Sequence, residues 1–300
     1  MDDILGLLRH CTLCPRQCGV NRLAGQKGFC GLAGEHVRLA RAALHFWEEP
    51  CISGTEGSGT VFFSGCTLRC SFCQNREISR GQAGRTLTVP ELRELFLRLR
   101  DQGVATLDLV TGTHYTPWIA EALSGLDLGI PVVWNSSGYD SVESLHMLEG
   151  LVQVYMPDFK YWKPDLAKRY AAAEDYPQAA KAAIKEMFRQ VGPYELDSEG
   201  ILQKGLLIRH LILPGQDLNA MDVMDFAAEE FPSGSILFSL MSQYTPMPGL
   251  ERFPELQKPI DPELNDRLIR YMRRLGLEGY WQETGSATAD EIPDFDLTGL

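Results

Sequence analysis

The sequence predicts an α/β fold built on a parallel sheet and preceded by a small cysteine-rich lobe. From about residue 58 onward, short β-rich apolar runs alternate with amphipathic helical patterns, which is typical of βα units and a parallel sheet. The first 57 residues lack this alternation and contain five of the eight cysteines. With 300 residues, 44% of them hydrophobic, the chain is long enough to bury a sizeable core. We therefore expect a lobe over residues 1–57 and an α/β domain over residues 58–300.

The periodicity predicts six strands and seven helices. The strands are Thr60–Ser64, Thr106–Val110, Pro131–Asn135, Val152–Met156, Leu206–Leu213 and Ser235–Leu240, with a further strand near Leu277–Gln282. A capping box formed by Thr88 and Glu91 marks the start of the helix over Val89–Asp101. The other helices are Pro117–Leu123, Ser141–Leu148, Pro164–Ala173, Ala179–Val191, Ala220–Phe231 and Pro262–Leu275. Such units close into a barrel or open into a doubly wound sheet, and both place the chemistry at the carboxyl ends of the strands.

Charge and hydropathy exclude several classes of function. The chain has 28 Lys and Arg against 40 Asp and Glu, which gives a net charge of -12. This balance repels a phosphate backbone and an anionic membrane surface, so it argues against a nucleic-acid partner and against a membrane partner. Apolar runs such as Gly205–Leu213 are interrupted well short of the roughly 18 residues of a membrane span. The acidic start lacks the basic region of a signal peptide, and we expect a cytoplasmic protein.

Three cysteines, Cys66, Cys70 and Cys73, directly follow the first predicted strand. Thiolates favour iron-sulfur clusters, zinc or copper(I) over hard cations. Four thiolates would saturate a [4Fe-4S] cluster, whereas three leave one iron free for a substrate or cofactor, as an open position does in a catalytic metal site. A zinc site with its fourth ligand elsewhere is the alternative for this triplet.

The C-x3-C-x-aromatic-C spacing of this triplet resembles the cluster motif of the radical S-adenosylmethionine (SAM) superfamily. The resemblance extends over about residues 59–295 and implies a partial (β/α)6 TIM-type barrel. It implies a [4Fe-4S] cluster on Cys66, Cys70 and Cys73, reductive cleavage of SAM, and abstraction of a hydrogen atom from a substrate by the 5′-deoxyadenosyl radical. Phe72 would then pack beside the adenine. A one-electron donor such as ferredoxin or flavodoxin is implied as a partner.

Two further segments resemble SAM-binding elements of the superfamily. Asp158-Phe159-Lys160 is similar to the D-x-K element of the activases of glycyl radical enzymes, in which the lysine meets the methionine carboxylate of SAM. Asn135 and Ser137 lie in a segment similar to one near the ribose and methionyl groups, and hydroxyl and amide groups suit ribose hydroxyls. The resemblance therefore assigns Asn135, Ser137, Asp158 and Lys160 to SAM. The alternatives are a surface ion pair for Asp158 and Lys160 and an ordinary turn closed by Gly138 for the other segment.

The sequence departs from the superfamily after the second strand. The usual Gly-Gly-Glu run is replaced by Val110-Thr111-Gly112-Thr113-His114-Tyr115, which has no carboxylate. The SAM amino group would instead meet backbone carbonyls and the Thr113 hydroxyl, with His114 as a nearby acceptor. His210, after Arg209 in the fifth strand, is similar to an activase histidine and would contact SAM or substrate. Burial in a purely structural role is the alternative for both histidines.

Longer segments, His45–Gly54, Ser58–Cys66 and Gly279–Glu283, are similar to the pyruvate formate-lyase activating enzymes. This likeness implies a glycyl radical enzyme as a partner and substrate, while a small molecule or another macromolecule is the alternative substrate. The alternative to an enzyme is a protein with the same fold and no catalytic activity, namely a binding protein that carries zinc or a cluster.

Four more cysteines lie in the lobe, with two, three and eleven residues between them: Cys11, Cys14, Cys18 and Cys30. Four thiolates within twenty residues can close a tetrahedral site. We expect zinc or a second iron-sulfur cluster there, and free reduced thiols are the alternative. Cys51 is expected to be an isolated, buried apolar residue.

Overall fold

The computed structural model describes residues 2–34, 36–80, 83–283 and 293–300. The strands are β1 (Val37–His45), β2 (Ser58–Phe63), β3 (Arg85–Leu87), β4 (Thr106–Val110), β5 (Val132–Ser136), β6 (Val154–Pro157), β7 (Glu195–Leu196), β8 (Leu202–Leu211), β9 (Leu237–Met241) and β10 (Gly279–Trp281). They form one sheet in the order β10-β9-β8-β6-β5-β4-β2-β1-β3, and β7 pairs with β8. The strands from β2 to β10 along this order are parallel to their neighbours.

The helices are α1 (Asp2–Arg9), α2 (Pro50–Ser53), α3 (Arg76–Ser79), α4 (Val89–Arg100), α5 (Thr116–Leu123), α6 (Val142–His146), α7 (Pro164–Ala171), α8 (Tyr176–Val191), α9 (Asp217–Glu230) and α10 (Pro262–Arg274). The predicted capping box opens α4: Thr88 Oγ1 accepts from the Glu91 N–H at 3.4 Å, and Glu91 Oε2 accepts from the Thr88 N–H at 2.8 Å. Among the described residues no helix has the length and apolar character required to cross a membrane.

The α/β fold predicted from the sequence is confirmed. Each predicted strand corresponds to one of the parallel strands, and the strand near Leu277–Gln282 is β10. No pairing between β2 and β10 occurs in the described ranges, so the sheet does not close into a full barrel. This open sheet is consistent with a partial barrel and a cysteine-rich N-terminus.

Two elements of the first 57 residues were not predicted and contribute to the α/β core. β1 pairs with β2 in the antiparallel direction, with Ala42 opposite Val61. α2 packs Cys51 and Ile52 against apolar residues of β5, β6, β8 and β9. The main-chain carbonyl of Ile52 accepts from Thr106 Oγ1 at 3.0 Å, at the amino-terminal end of β4. α2 therefore closes the amino-terminal end of the strands, and the opposite end remains open.

Candidate active site

A cavity of about 450 Å³ opens at the carboxyl ends of the parallel strands, which is a volume typical of small-molecule sites. Its lining includes the three cysteines of the triplet, polar residues that end or follow the strands, and two acidic residues that precede α2: Cys66, Cys70, Cys73, Thr111, Asn135, Ser137, Asp158, Lys160, Arg209, Gln243, Glu48 and Glu49. A larger, shallower depression of about 600 Å³ is lined mainly by the loop before β5 and by the start of that strand, and no cysteine lines it.

The cysteine loop begins at Gly65, whose φ is +83°. A Cβ there would lie 2.4 Å from Leu32 Cδ1 and 2.9 Å from the Cys30 carbonyl oxygen, so only glycine fits this turn. Cys66 Sγ accepts from the backbone N–H groups of Leu68 and Arg69, at 3.3 and 3.4 Å. Main-chain donors thus hold the first cysteine in place.

The other two thiols of the triplet, Cys70 and Cys73, lie in surroundings that disfavour their thiolate forms. Tyr161 Oη donates to Cys70 Sγ at 3.2 Å. Burial raises the pKa of Cys70 to about 12 and that of Cys73 to about 11, although Lys160 acts in the opposite direction on both. Metal binding therefore displaces protons from these thiols.

The donor set fits the cluster that the triplet predicts. In the described ranges, no three His, Cys, Asp or Glu side chains surround one point closely enough to bind a single metal ion. A [4Fe-4S] cluster does not require such a point, because each of its cysteines ligates the cluster at a different iron. Three free thiols on one cavity wall, beside a positively charged lysine, suit a cluster with one iron open to the cavity.

Asp158 connects two partly buried cations at the carboxyl end of β6. Lys160 Nζ donates to Asp158 Oδ2, and Arg209 Nε donates to Asp158 Oδ1 at 3.0 Å. Burial alone would raise the pKa of Asp158, but Lys160 and Arg209 hold it below its usual range. Burial lowers the pKa of Lys160, and the attraction of Asp158 and Cys70 outweighs it, so the net pKa of Lys160 is raised. Asp158 and Lys160 are therefore both charged at neutral pH.

Arg209 also gathers the acidic residues that precede α2. Its Nη1 lies 2.7 Å from Glu48 Oε2 and 3.5 Å from Glu49 Oε2, and its Nη2 donates to Asn135 Oδ1 at 2.7 Å. Burial raises the pKa of both glutamates despite the pull of Arg209.

A third carboxyl group lies beneath these glutamates. Asp108 is fully buried, its Oδ2 accepts from Asn135 Nδ2 at 3.2 Å, and its Oδ1 has no hydrogen-bond partner among the described residues. Burial, together with Glu48, raises the pKa of Asp108 far above its usual value. Glu48, Glu49 and Asp158 line the cavity beside Lys160 and Arg209, and a positively charged ligand would favour the ionised form of the two glutamates.

Two buried side chains join the loops that follow β4, β5 and β6. Asp140 accepts from Thr113 Oγ1 at 2.7 Å, from Ser136 Oγ at 2.6 Å and from Trp134 Nε1 at 3.3 Å. Tyr176 Oη accepts from the Lys160 N–H at 2.8 Å and lies within donating distance of the carbonyl oxygens of Ser137 and Asp158. These contacts fix the loops that carry Asn135, Ser137 and Lys160.

The structure brings most of the residues predicted for SAM to one cavity. Its lining includes Phe72, Asn135, Ser137, Asp158 and Lys160 together with the cysteine triplet. Phe72 packs edge-on against three aromatic rings, those of Tyr161, Tyr170 and Tyr244. These residues therefore line one cavity, as a common ligand requires.

Three residues that were predicted to bind SAM do not line this cavity. Thr113 is buried against Asp140. His114 Nε2 lies 2.8 Å from the Ser64 carbonyl oxygen, and His210 Nδ1 lies 2.6 Å from the Phe159 carbonyl oxygen. Burial lowers the pKa of His114 to about 3 and that of His210 to about 4. Both imidazoles are therefore neutral at physiological pH, and their roles toward SAM stay predictions.

Some cavity residues were not assigned from the sequence. Arg209 could have been found by strand alternation, because Leu207, Arg209 and Leu211 of β8 share one face and Leu211 also lines the cavity. Thr111, at the end of β4, has a φ of +64°, which is unusual for a β-branched residue. Glu48 and Glu49 lie in the segment before α2, and no local sequence pattern predicts their contact with Arg209 of β8.

The chain belongs to the radical SAM superfamily, whose family model matches residues 60–227. Membership in this superfamily implies a [4Fe-4S] cluster and SAM as cofactors.

Two known proteins are similar to this chain. An uncharacterized protein of Methanocaldococcus jannaschii is 27% identical over 282 residues, which cover 91% of this chain and 77% of that protein. The crystal structure of a radical SAM methyltransferase from Sphaerobacter thermophilus matches with a TM-score of 0.52 and 16% identity, over 77% of this chain and 67% of the other. This structural likeness concerns the fold alone.

Proposed function

We propose that this protein is a radical SAM enzyme that cleaves SAM reductively and abstracts a hydrogen atom from its substrate. The observation that carries this proposal is the shared cavity of Cys66, Cys70 and Cys73 with the Asp158–Lys160 pair. Cys66, Cys70 and Cys73 would hold the cluster, which in its reduced state would supply the electron that breaks the bond between sulfur and C5′ of SAM. The products would be methionine and a 5′-deoxyadenosyl radical, which would take a hydrogen atom from the substrate. A one-electron donor such as ferredoxin or flavodoxin returns the electron.

The side chains around the cavity are suited to bind and orient SAM. The Lys160 ammonium is within reach of the triplet, since it influences both Cys70 and Cys73, and it would bind the methionine carboxylate. Asn135 and Ser137 offer polar groups to the ribose hydroxyls, and Phe72 offers its ring to the adenine. The carboxylates of Glu48 and Glu49 favour the positive charge of the sulfonium and the ammonium of SAM.

Apolar side chains complete the cavity and exclude water from a reactive radical. They include Phe62, Leu68, Val110, Leu211 and Met241. Trp47 and Trp281 also line it, although their exposed fractions are 65% and 39%. We place these two tryptophans at the opening, where a substrate would enter.

A glycyl radical enzyme is the substrate that the resemblance to activating enzymes favours. The position of the Asp158–Lys160 pair beside Cys70 supports this assignment, because the same D-x-K element carries the resemblance. The open sheet also leaves a mouth at which the backbone of a second protein could approach.

The test is the production of 5′-deoxyadenosine by anaerobically reconstituted protein with dithionite and SAM. We expect wild type to produce it and Cys66→Ala/Cys70→Ala/Cys73→Ala to produce none. Cys51→Ala is the matched control, because Cys51 is a buried cysteine outside the cavity lining. Wild-type protein with a full complement of iron and sulfide that forms no 5′-deoxyadenosine, even with cell extract added as a substrate source, contradicts the proposal.

A further inference from the structure

The four cysteines of the N-terminal lobe form a second group close to the cavity. Cys11, Cys14 and Cys30 are buried, and Cys18 is half-buried. A tight turn and a longer backbone contact bring them together: the Gln17 N–H donates to the Cys14 carbonyl at 3.0 Å, and the Gly19 N–H donates to the Cys11 carbonyl at 3.0 Å. The group is compact, since Cys11, Cys18 and Cys30 all lie near enough to act electrostatically on the Cys14 thiol.

The sulfur atoms of this group receive the same type of hydrogen bond as those of the radical SAM triplet. In the triplet, Cys66 Sγ accepts from the Leu68 N–H at 3.3 Å, and in the lobe Cys18 Sγ accepts from the Phe29 N–H at 3.3 Å. Burial raises the pKa of Cys14 and of Cys30, and the backbones of Arg16 and Leu32 act in the opposite direction. Backbone donors directed at sulfur stabilise thiolates, which are the form that binds metal.

A buried arginine beside this group has two donor nitrogens without an acceptor in the part of the chain that the structure describes. Arg22 is fully buried, and its Nη1 donates to the His114 carbonyl oxygen at 2.9 Å. Its Nε and Nη2 have no hydrogen-bond partner among the described residues, and no carboxylate there forms a salt bridge with it. Cys30 is close enough to interact with its charge. The guanidinium lies over the rings of Trp118 and Tyr115, at 5.1 and 5.8 Å from their centroids, but these rings carry no net charge. A buried guanidinium favours a compensating anion, which the Cys30 thiol can supply as a thiolate.

A second arginine lies between the two cysteine groups. Arg69, inside the triplet, has a φ of +51°, and its buried Nε has no hydrogen-bond partner in the described ranges. A Cβ on Gly31, the residue after Cys30, would lie 2.2 Å from Arg69 Nη2. The charge of Arg69 interacts with both Cys30 and Cys66. Because the Cys30 carbonyl also contacts Gly65, the lobe packs directly on the start of the cluster loop.

We infer that Cys11, Cys14, Cys18 and Cys30 hold a second metal centre as four thiolates, and that Arg22 and Arg69 supply its counter-charge. Because no described group of side chains surrounds one point closely enough for a single metal ion, the centre is a [4Fe-4S] cluster. Its oxidised core with four thiolates carries two negative charges, which two guanidinium groups balance. Arg22 and Arg69 are positioning residues, and Arg69 serves both centres. This inference does not depend on the cleavage of SAM.

Metal analysis of the full chain, produced anaerobically with iron and zinc supplied, tests the site. We expect Cys66→Ala/Cys70→Ala/Cys73→Ala to retain about four irons with sulfide, and retention of one zinc without iron overturns the inference of a cluster. Further Cys11→Ala and Cys14→Ala substitutions remove that metal, whereas Cys51→Ala leaves the metal content at the wild-type value. A folded triplet variant without bound metal, or metal that survives loss of Cys11 and Cys14, overturns the inference.

A single substitution keeps the test valid if the multiple variants do not fold. Cys18→Ala removes the half-buried ligand, and we expect its lobe metal to be lost to a chelator that leaves the wild-type centre intact. Unchanged metal retention in Cys18→Ala overturns the four-thiolate site. Since 5′-deoxyadenosine formation is measured separately, failure of the proposed function and failure of this site are distinguishable.

The counter-charge is tested by the pair Arg22→Met and Arg22→Lys. Loss of an outer-shell partner typically costs about 10–100-fold in metal affinity. We expect a loss of this size for Arg22→Met, measured by competition with a chelator, and a substantially smaller one for Arg22→Lys, which keeps the charge. Equal effects of the two substitutions contradict the assignment of Arg22 as a counter-charge.

Discussion

Arg209 Nε donates to Asp158 Oδ1 at 3.0 Å and so joins β8 to the segment that follows β6. The main chains of the same two residues form an isolated parallel bridge. Because the other oxygen of the Asp158 carboxylate accepts from Lys160, a single, partly buried carboxylate directs two cations. Lys160 points toward the cysteine triplet, and Arg209 contacts Glu48 and Asn135.

Asp158→Asn is expected to weaken SAM binding by releasing Lys160 and Arg209 from this shared partner. A hydrogen bond to a charged group is worth about 1.5–3 kcal/mol, or roughly 10–100-fold in affinity. We expect a loss within that range in the dissociation constant of SAM, measured by calorimetry on reconstituted protein. Asp165→Asn, in the first turn of α7, is the control. An unchanged affinity in Asp158→Asn contradicts the role given to Asp158.

Arg209→Met and His210→Asn distinguish the cavity-facing residue of β8 from its neighbour. Arg209 lines the cavity, whereas His210 bonds to the Phe159 carbonyl. We expect Arg209→Met to reduce 5′-deoxyadenosine formation more strongly than His210→Asn, because it leaves Glu48 and Glu49 without their cation. A larger loss in His210→Asn supports the contact with SAM or substrate that the resemblance implies.

The sequence predicted the parts of this protein that depend on local patterns. Alternating strands and helices, the capping box at Thr88, and the spacing of the triplet each involve residues close together in the chain. Strand alternation could further have selected Arg209 as the cavity-facing residue. The contacts of Glu48 and Glu49 with Arg209 connect residues about 160 positions apart, and no local pattern encodes them. β1 was not predicted either, since its arginines interrupt the apolar alternation and its partner lies beyond α2.

Gly138→Ala tests the close packing of the loops after β5 and β6. Gly138 has a φ of +71°, and a Cβ would lie 2.5 Å from the Asp158 carbonyl oxygen. Gly150→Ala is a matched control with a φ of +77° and no atom within 4 Å of the added Cβ. The left-handed conformation costs about 1–2 kcal/mol in either variant. We expect Gly138→Ala to lose more stability in urea unfolding than Gly150→Ala and to bind SAM more weakly; equal losses contradict the packing argument.

Acid is expected to destabilise the fold through its two buried neutral histidines. Burial lowers the pKa of His114 to about 3 and that of His210 to about 4, while an unfolded histidine titrates near 6.5. Below about pH 6.5 the unfolded state therefore binds protons that the folded state does not. The free energy of unfolding falls by about 1.4 kcal/mol per pH unit for each histidine, and this contribution levels off near pH 4 for His210 and near pH 3 for His114.

The His114→Gln variant isolates one of these two contributions. Gln offers an amide donor to the Ser64 carbonyl oxygen, which lies 2.8 Å from His114 Nε2, and it does not titrate. We expect the slope of unfolding free energy against pH, measured by urea titration between pH 6 and pH 4.5, to decrease by about 1.4 kcal/mol per pH unit. His146→Gln is the control, because that side chain is 54% exposed. A slope in His114→Gln equal to that of wild type means that His114 takes up its proton in the folded protein, which contradicts its neutral, buried state.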